Sequence, residues 1–370
     1  MIYLDYQATT PVAPEVAAAM RPWLEEKFAN PHSPSKWGRE AAAAIDVARD
    51  RIEAALGLSG GRFAFTSGAT EALNWALKGT FEKSGRRKLV TVATEHAAVL
   101  DTAEWLEANG IEVVRLGVSS EGLVDLDMAE AEIDDKTAVV AVMLVNNEIG
   151  VIQPVAEIAR TAHRAGALML CDAVQGFGRL PIPDDADLVA VSGHKIYGPK
   201  GIGGLWMRSG AEPEPLMHGG GQEQGLRSGT LSPALCVGMG EAAHLASERH
   251  EADALHVEKL SEIALTTLGP GWFINGSMAH RYRGNLNIRR DALDAARLIS
   301  DMRNIAFSLG SACASGSGRP SHVLRAIGLS DGQARSSIRL GFGRYTGEEE
   351  LASACRRINE AAHEQSIPPA

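Results

Sequence analysis

The sequence predicts an α/β fold in which a mostly parallel sheet is covered by helices on both faces. Three observations carry this. Short runs rich in Val, Leu and Ile recur through the middle of the chain without polar alternation. Helical patterns separate them. Polar residues gather just after each run rather than within it. Strands that are apolar on both faces are buried on both faces, as parallel sheets require.

The elements follow in order. Phe63-Ala-Phe-Thr-Ser-Gly-Ala-Thr-Glu-Ala-Leu-Asn74 reads as a short strand, a glycine turn and a helix start. Residues 88–93 read as a buried strand, and 97–109 as a helix that stops at Gly110. Further strands are expected at 112–116, 137–145, 167–171 and 187–191, with a helix at 155–165. A helix-rich stretch covers 241–268. After it, 282–289 and 305–308 read as strands of a smaller C-terminal domain, and 348–364 as a helix. A chain of 370 residues holds one or two domains. The expected division is an N-terminal arm over 1–14, a large domain over 15–245 and a small domain over 246–370.

Composition is that of an ordinary globular protein, with 45% hydrophobic and 22% charged residues. The net charge of −10 disfavours a nucleic-acid partner, since phosphate binding needs a basic face. Cys171, Cys236, Cys313 and Cys355 lie far apart with no CxxC pair. That argues against a metal centre or a disulfide framework and fits a reducing compartment. The opening Met1-Ile-Tyr-Leu-Asp-Tyr6 has neither the basic nor the apolar region of a signal peptide. No apolar run approaches the ~18–20 residues that span a bilayer. A cytoplasmic location without a membrane partner is expected.

The polar clusters after the strands are Thr94-Glu-His96, Asn146-Asn-Glu148, Asp172 and Ser192-Gly-His-Lys195. In open α/β sheets ligands bind at the carboxyl ends of strands, so these separate strand ends nominate one site. Lys195 there is an ion-pair partner, an anion-binding cation or a nucleophile made reactive by its surroundings. Asp172 is either a helix cap or half of a pair with Lys195. That pair suits pyridoxal phosphate: the lysine holds the cofactor and the aspartate keeps its pyridine nitrogen protonated. The turn Thr66-Ser-Gly-Ala-Thr70 would offer backbone N–H groups to the phosphate at a helix N-terminus, or is a plain helix start. Cys313 sits in Ser308-Leu-Gly-Ser-Ala-Cys-Ala-Ser-Gly-Ser-Gly-Arg-Pro320. Such small residues neither pack a core nor hold a rigid helix, so the thiol is either a small buried hydrophobe or an exposed group on a loop.

In combination these motifs resemble the pyridoxal-phosphate cysteine desulfurases of the NifS/IscS type, within the class V aminotransferase group. The matching stretches run through nearly the whole chain. They include Tyr3-Leu-Asp-Tyr-Gln-Ala-Thr-Thr-Pro11, Phe65-Thr-Ser-Gly-Ala-Thr-Glu71, Val145-Asn-Asn-Glu-Ile-Gly150, Ser192-Gly-His-Lys-Ile-Tyr-Gly-Pro-Lys-Gly201, His218-Gly-Gly-Gly-Gln-Glu223, Gly310-Ser-Ala-Cys313 and Ser337-Ile-Arg339. The resemblance implies PLP fold-type I: a large domain with a mostly parallel seven-stranded sheet flanked by helices, and a smaller α+β C-terminal domain.

It also implies roles. Lys195 carries the cofactor and moves the proton at the substrate Cα. Asp172 pairs with the ring nitrogen, His96 stacks on the ring as a possible acid–base group, and Gln175 bonds the phenolic oxygen. Ala69, Thr70, Ser192 and His194 hold the phosphate, and Thr230 reaches it from the other subunit of a homodimer. Arg339 clamps the carboxylate of L-cysteine, assisted by Asn147. Cys313 takes the sulfur as a persulfide and passes it to an acceptor protein. Iron–sulfur cluster assembly is the leading destination; tRNA thiolation and molybdenum cofactor sulfuration stay open, since the chain ends soon after 348–364, where housekeeping IscS-type members continue. The fold also hosts transaminases, kynureninase and selenocysteine lyases. A transaminase has no use for a loop thiol, and a non-catalytic assembly subunit would lack Lys195, Asp172 or Cys313.

Overall fold

The computed structural model describes residues 1–310 and 320–365. A seven-stranded sheet lies at its centre. In spatial order its strands are Gly61–Thr66, Gly203–Arg208, Leu188–Ser192, Leu168–Asp172, Thr137–Met143, Lys88–Val92 and Glu112–Leu116. Only Gly203–Arg208 runs against its neighbours within this sheet. The expected parallel core is therefore present, with one reversed strand that the apolar pattern did not mark.

The side-chain period of two divides each strand between two cores. Leu89, Val139, Leu170 and Leu188 face one side, against the helices Ala69–Lys83 and Ala97–Ala108 through Leu73, Leu77 and Val99. Val90, Val140, Met169 and Val189 face the other. There Ile45 and Ile52 of Lys36–Leu56, Ile158 of Val155–Arg164 and Met239 of Pro233–Glu248 cover them. Polar groups have no room along such strands, so they cluster at the ends.

A four-stranded antiparallel sheet carries the C-terminal part, in the order Ser308–Leu309, Ser337–Gly341, Asn285–Arg289 and Phe273–Ile274. Helices His250–Leu268 and Glu348–Glu364 pack on it through Leu260, Ala264 and Ile358. Two expectations need correction here. Residues 305–308 divide into two strands: Ile305–Ala306 pairs with Ile2–Tyr3, and Ser308–Leu309 with Ser337–Gly341, while Phe307 between them is buried. The strand expected at 282–289 begins only at Asn285, because Tyr282–Asn285 closes a turn with Asn285 N–H donating to the Tyr282 carbonyl. No described helix is long and apolar enough to cross a membrane.

One close approach ties the sheet to the site. A Cβ on Gly203 would fall 2.5 Å from the Val191 carbonyl oxygen and 2.8 Å from Gly68 Cα. Gly68 caps the helix Ala69–Lys83. Gly203→Ala must therefore displace the helix start, and overpacking of this kind costs roughly 1–3 kcal/mol. Urea unfolding should show a lower midpoint for Gly203→Ala, and phosphate-bearing ligands should bind more weakly. Gly85→Ala, whose Cβ meets open space, should be near neutral in both assays.

Candidate active site

A cavity of about 610 Å³ opens at the carboxyl ends of Thr137–Met143, Leu168–Asp172 and Leu188–Ser192. Ala69, Thr70, His96, Asn147, Asp172, Gln175, Ser192, His194, Lys195 and Arg339 all line it. Residues separated by up to 270 positions thus meet in one place, as the strand-end argument expected. Thr230 is exposed and outside the lining. Cys313 lies outside the described residues. A second cavity of about 180 Å³ lies behind Lys195, but its Arg179 and Arg344 are engaged by Gln175 and Asp253. The chemistry belongs to the larger cavity.

Lys195 ends the 3-10 turn Gly193–Lys195 that follows its strand. The turn is held by Tyr197, which sits at φ 66°, a left-handed conformation that a bulky residue adopts only when its surroundings impose it. Here Thr10 Oγ1 accepts from Tyr197 N at 2.8 Å and Ala13 N donates to the Tyr197 carbonyl at 2.9 Å. Lys195 Nζ donates to the carbonyls of Gln7 and Ala8, the latter at 2.8 Å. Burial, with Arg179 and Arg339 nearby, pulls its pKa from 10.5 down to about 7. The amine is thus largely neutral, and nucleophilic, just above neutral pH.

Asp172 ends the neighbouring strand, and its Oδ1 accepts from Val174 N at 3.0 Å. Burial pushes its pKa up. Glu95, wholly buried, is pushed well above the usual carboxylate range, first by burial and then by Asp172. His96 caps the helix Ala97–Ala108, and its Nδ1 accepts from Ala98 N at 3.1 Å. Burial also lowers the pKa of His96, so the neutral ring keeps its proton on Nε2. His194, hydrogen-bonded to Thr9 Oγ1, is brought down to about 4 by burial and by Lys195.

The Gln175 amide is oriented from behind. Arg179 Nη1 donates to Gln175 Oε1 at 2.9 Å, and Arg179 Nη2 to the Lys195 carbonyl at 2.7 Å. Gln175 therefore presents Nε2, a donor, towards the Gln7 carbonyl and the cavity. Arg339, 1% exposed, donates from Nη2 to Asp5 Oδ1 at 2.7 Å and from Nη1 to the Asn147 carbonyl at 3.0 Å. Its Nε has no partner among the described residues. The arginine is thus held from several sides and keeps an unused donor for a carboxylate.

The cavity suits pyridoxal phosphate on its donor set. The first turn of Ala69–Lys83 carries no side-chain cap and meets the cavity at Gly68, Ala69 and Thr70, which favours an anion. Burial raises the pKa of the Asp172 carboxyl, and a protonated ring nitrogen would supply the cation that favours its ionised form. Asp5, Gln7 and Arg179 escaped the sequence reading as parts of the site. Arg179 follows Gln175 by four residues, a spacing that signals contact only once the chain there is known to turn. Asp5 and Gln7 carry no local signal.

Known proteins show the family. The family model "Aminotransferase class-V" matches residues 2–353. The chain is 43% identical over 374 residues to "Cysteine desulfurase IscS" of Rickettsia bellii (strain OSU 85-389), covering 97% of this chain and 91% of that protein. It is 44% identical over 368 residues to the protein of the same name from Rickettsia akari (strain Hartford), covering 96% and 90%. A solved "NIFS-LIKE PROTEIN" superposes with a TM-score of 0.90 at 34% identity, over 98% of this chain and 99% of that one. Another, "SspA in complex with cysteine", gives 0.84 at 36% identity, over 94% and 100%. The chain belongs to the class-V aminotransferases and, among them, to the cysteine desulfurases of the IscS and NifS type.

Proposed function

We propose that the chain is a pyridoxal-phosphate-dependent cysteine desulfurase that moves sulfur from L-cysteine to Cys313 and releases L-alanine. The observation that carries this is one cavity holding a lysine amine of pKa about 7, a buried aspartate at the next strand end and an arginine with a free donor. The wider family depends on the same cofactor, and one solved relative is described in complex with cysteine.

Bound in the cavity, the cofactor supplies an electron sink for negative charge at the substrate Cα. Lys195 would hold its aldehyde carbon, Asp172 its ring nitrogen, and Gln175 Nε2 its phenolic oxygen. Ala69, Thr70, Ser192 and His194 would hold its phosphate, with Thr230 reaching it from the second subunit of a homodimer. A neutral His194 can donate to the phosphate without adding charge, and His96 would stack on the ring. Arg339 takes the carboxylate of L-cysteine and Asn147 steadies it, which aims the Cα proton at Lys195 Nζ. A neutral Nζ accepts that proton. Cys313 as a thiolate then attacks the substrate sulfur. The Cβ–S bond breaks, an S–S bond forms at Cys313, and Cβ gains a proton. The sum is L-cysteine plus thiol giving L-alanine plus persulfide, with no external oxidant. Iron–sulfur assembly is the destination we propose for the sulfur, through an acceptor protein in the cytoplasm.

Three outcomes test this. Cys313→Ala should keep the visible absorbance of the cofactor-loaded protein yet form no sulfide and no alanine from L-cysteine; normal turnover by that variant would remove Cys313 from the mechanism. In cofactor-free protein, acylation of Lys195 should rise with pH through a midpoint near 7. The sign follows from the depressed pKa: raising pH through that value removes the proton and frees the lone pair. Arg179→Met should move the midpoint upward, and a wild-type midpoint near 10.5 would mean that the amine is not desolvated. Sedimentation should report a dimer, and a fully active monomer would exclude the role of Thr230.

A further inference from the structure

Glu148 has no part in the chemistry above, yet it is buried, 3% exposed, beside the site. Its surroundings explain where its bonds go. The carboxylate accepts from Ser321 Oγ. Ser321 caps the helix His322–Ala326 and follows Pro320, where the described chain resumes after 310. The Glu148 carbonyl accepts from Asn287 Nδ2 at 3.0 Å, and the same nitrogen donates to the Gly310 carbonyl at 3.3 Å. Gly310 N–H in turn donates to the Ser337 carbonyl at 3.0 Å. One residue therefore connects to both chain ends that flank 311–319, the stretch that carries Cys313. Gly310 also lies near the helix that Ser321 caps, since a Cβ built on it would fall 2.6 Å from Leu324 Cδ1.

The same network reaches the substrate side. Asn147, next to Glu148, accepts from Arg339 through its carbonyl. Asn287 stands directly opposite Arg339 in the antiparallel ladder. His322 Nε2 donates to the Glu95 carbonyl at 3.0 Å, beside His96. Asn287 is wholly buried, and its Oδ1 accepts from Asn275 Nδ2 at 2.8 Å, so its amide cannot turn away from Glu148 and Gly310 without loss.

We propose that Glu148 and Asn287 are positioning residues that fix both ends of the Cys313 segment to the strand end and the arginine that receive the substrate. The proposal rests on the reading of Cys313 as the sulfur acceptor. Extended chain advances at most ~3.3–3.6 Å per residue, so a residue three positions from Gly310 stays within roughly 10 Å of it. The place of Gly310 thus sets where the thiol can act. A tethered nucleophile reacts at an effective concentration set by its tether, and loosening the anchor dilutes it. Nothing in this network touches the cofactor-holding residues Lys195 or Asp172 directly, so its loss should slow sulfur transfer and spare the earlier steps.

The test uses the cofactor-loaded dimer and four variants. Glu148→Ala and Ser321→Ala should retain the wild-type absorbance, the spectral change on adding L-cysteine, and KM within about two-fold. The rate at which mass spectrometry finds added sulfur on Cys313, and kcat with it, should fall at least ten-fold. Glu148→Gln, which keeps an oxygen to accept from Ser321, should recover most of that loss. Wild-type persulfide formation in Ser321→Ala, a readout that survives should Glu148→Ala fail to fold, would overturn the proposal. So would a loss of kcat in Glu148→Ala accompanied by equal loss of the spectral change. Cys313→Ala separates the two ideas: full turnover there removes the reading beneath the proposal, whereas a dead Cys313→Ala with an unimpaired Glu148→Ala removes the anchor alone.

Discussion

The site depends on the passage of residues 5–10 between the two sheets. Beyond the core residue Tyr6, the backbone and polar groups of this short arm meet Lys195, Gln175, His194 and Arg339. The Gln7 and Ala8 carbonyls take the Lys195 amine, and the Gln7 carbonyl also takes Gln175 Nε2. Asp5 holds Arg339. Thr9 and Thr10 hold the His194 ring and carbonyl, and Thr10 also fixes Tyr197. The arm's own ends are pinned to the smaller sheet, where Gly341 N–H donates to the Leu4 carbonyl at 2.7 Å and Gln7 Nε2 donates to the Gly284 carbonyl at 2.8 Å. The lysine of the large sheet and the arginine of the small one thus keep their spacing because one strand of chain bonds to both.

That arrangement explains what the sequence revealed. Lys195, Asp172, His96 and Asn147 could be placed because a strand buried on both faces excludes polar residues until it ends, and an end is visible as the break in an apolar run. The runs overstate the ladder slightly: the apolar pattern continues to Val145, while the strand stops at Met143 because the chain leaves its neighbours there. Asp5, Gln7 and Glu148 work through contacts across 139 to 334 positions, or through main-chain oxygens that every residue possesses. No strand end marks Asp5 or Gln7, whereas Glu148 stands in the same strand-end cluster as Asn147 and only its distant partners are hidden. Gly203–Arg208 looks like any other buried strand in composition, since direction leaves no trace in the residues of a strand that is covered on both faces.

Electrostatics shows why the cavity is built for a ligand that brings its own charges. Burial drives Lys195, His194, His96, Asp172 and the adjoining Glu95 towards their neutral forms. Lys195 falls to about 7 and His194 to about 4, while Asp172 and Glu95 rise. Neutral groups in a desolvated place minimise the cost of an empty site. They also leave specific charge deficits: an uncapped helix start that favours an anion, and a carboxyl that would ionise beside a cation. A phosphate on one end of the ligand and a protonated ring nitrogen on the other answer both. On the proposed function the order of events is physical as well: a lysine must be neutral to bond to an aldehyde, and the same desolvation would make it a base for the step that follows.

Arg339 shows how the two halves divide their tasks. An arginine at 1% exposure is stable only where its charge is matched, and Asp5 matches it. With Asp5 and the Asn147 carbonyl fixing the guanidinium, the remaining Nε donor has one direction left. On the proposed function, the substrate carboxylate adds to a pair that is already satisfied rather than replacing a missing partner. Its binding therefore gains little from bulk charge attraction and much from geometry, which favours a substrate whose carboxylate, Cα and sulfur all fit at once. The carbonyl that steadies the arginine belongs to Asn147, one residue from the carboxylate that holds the flank of the thiol segment. Asn147 and Glu148 thus tie the arginine and the flank of 311–319 to one strand end, the first through a main-chain carbonyl and the second through its side chain.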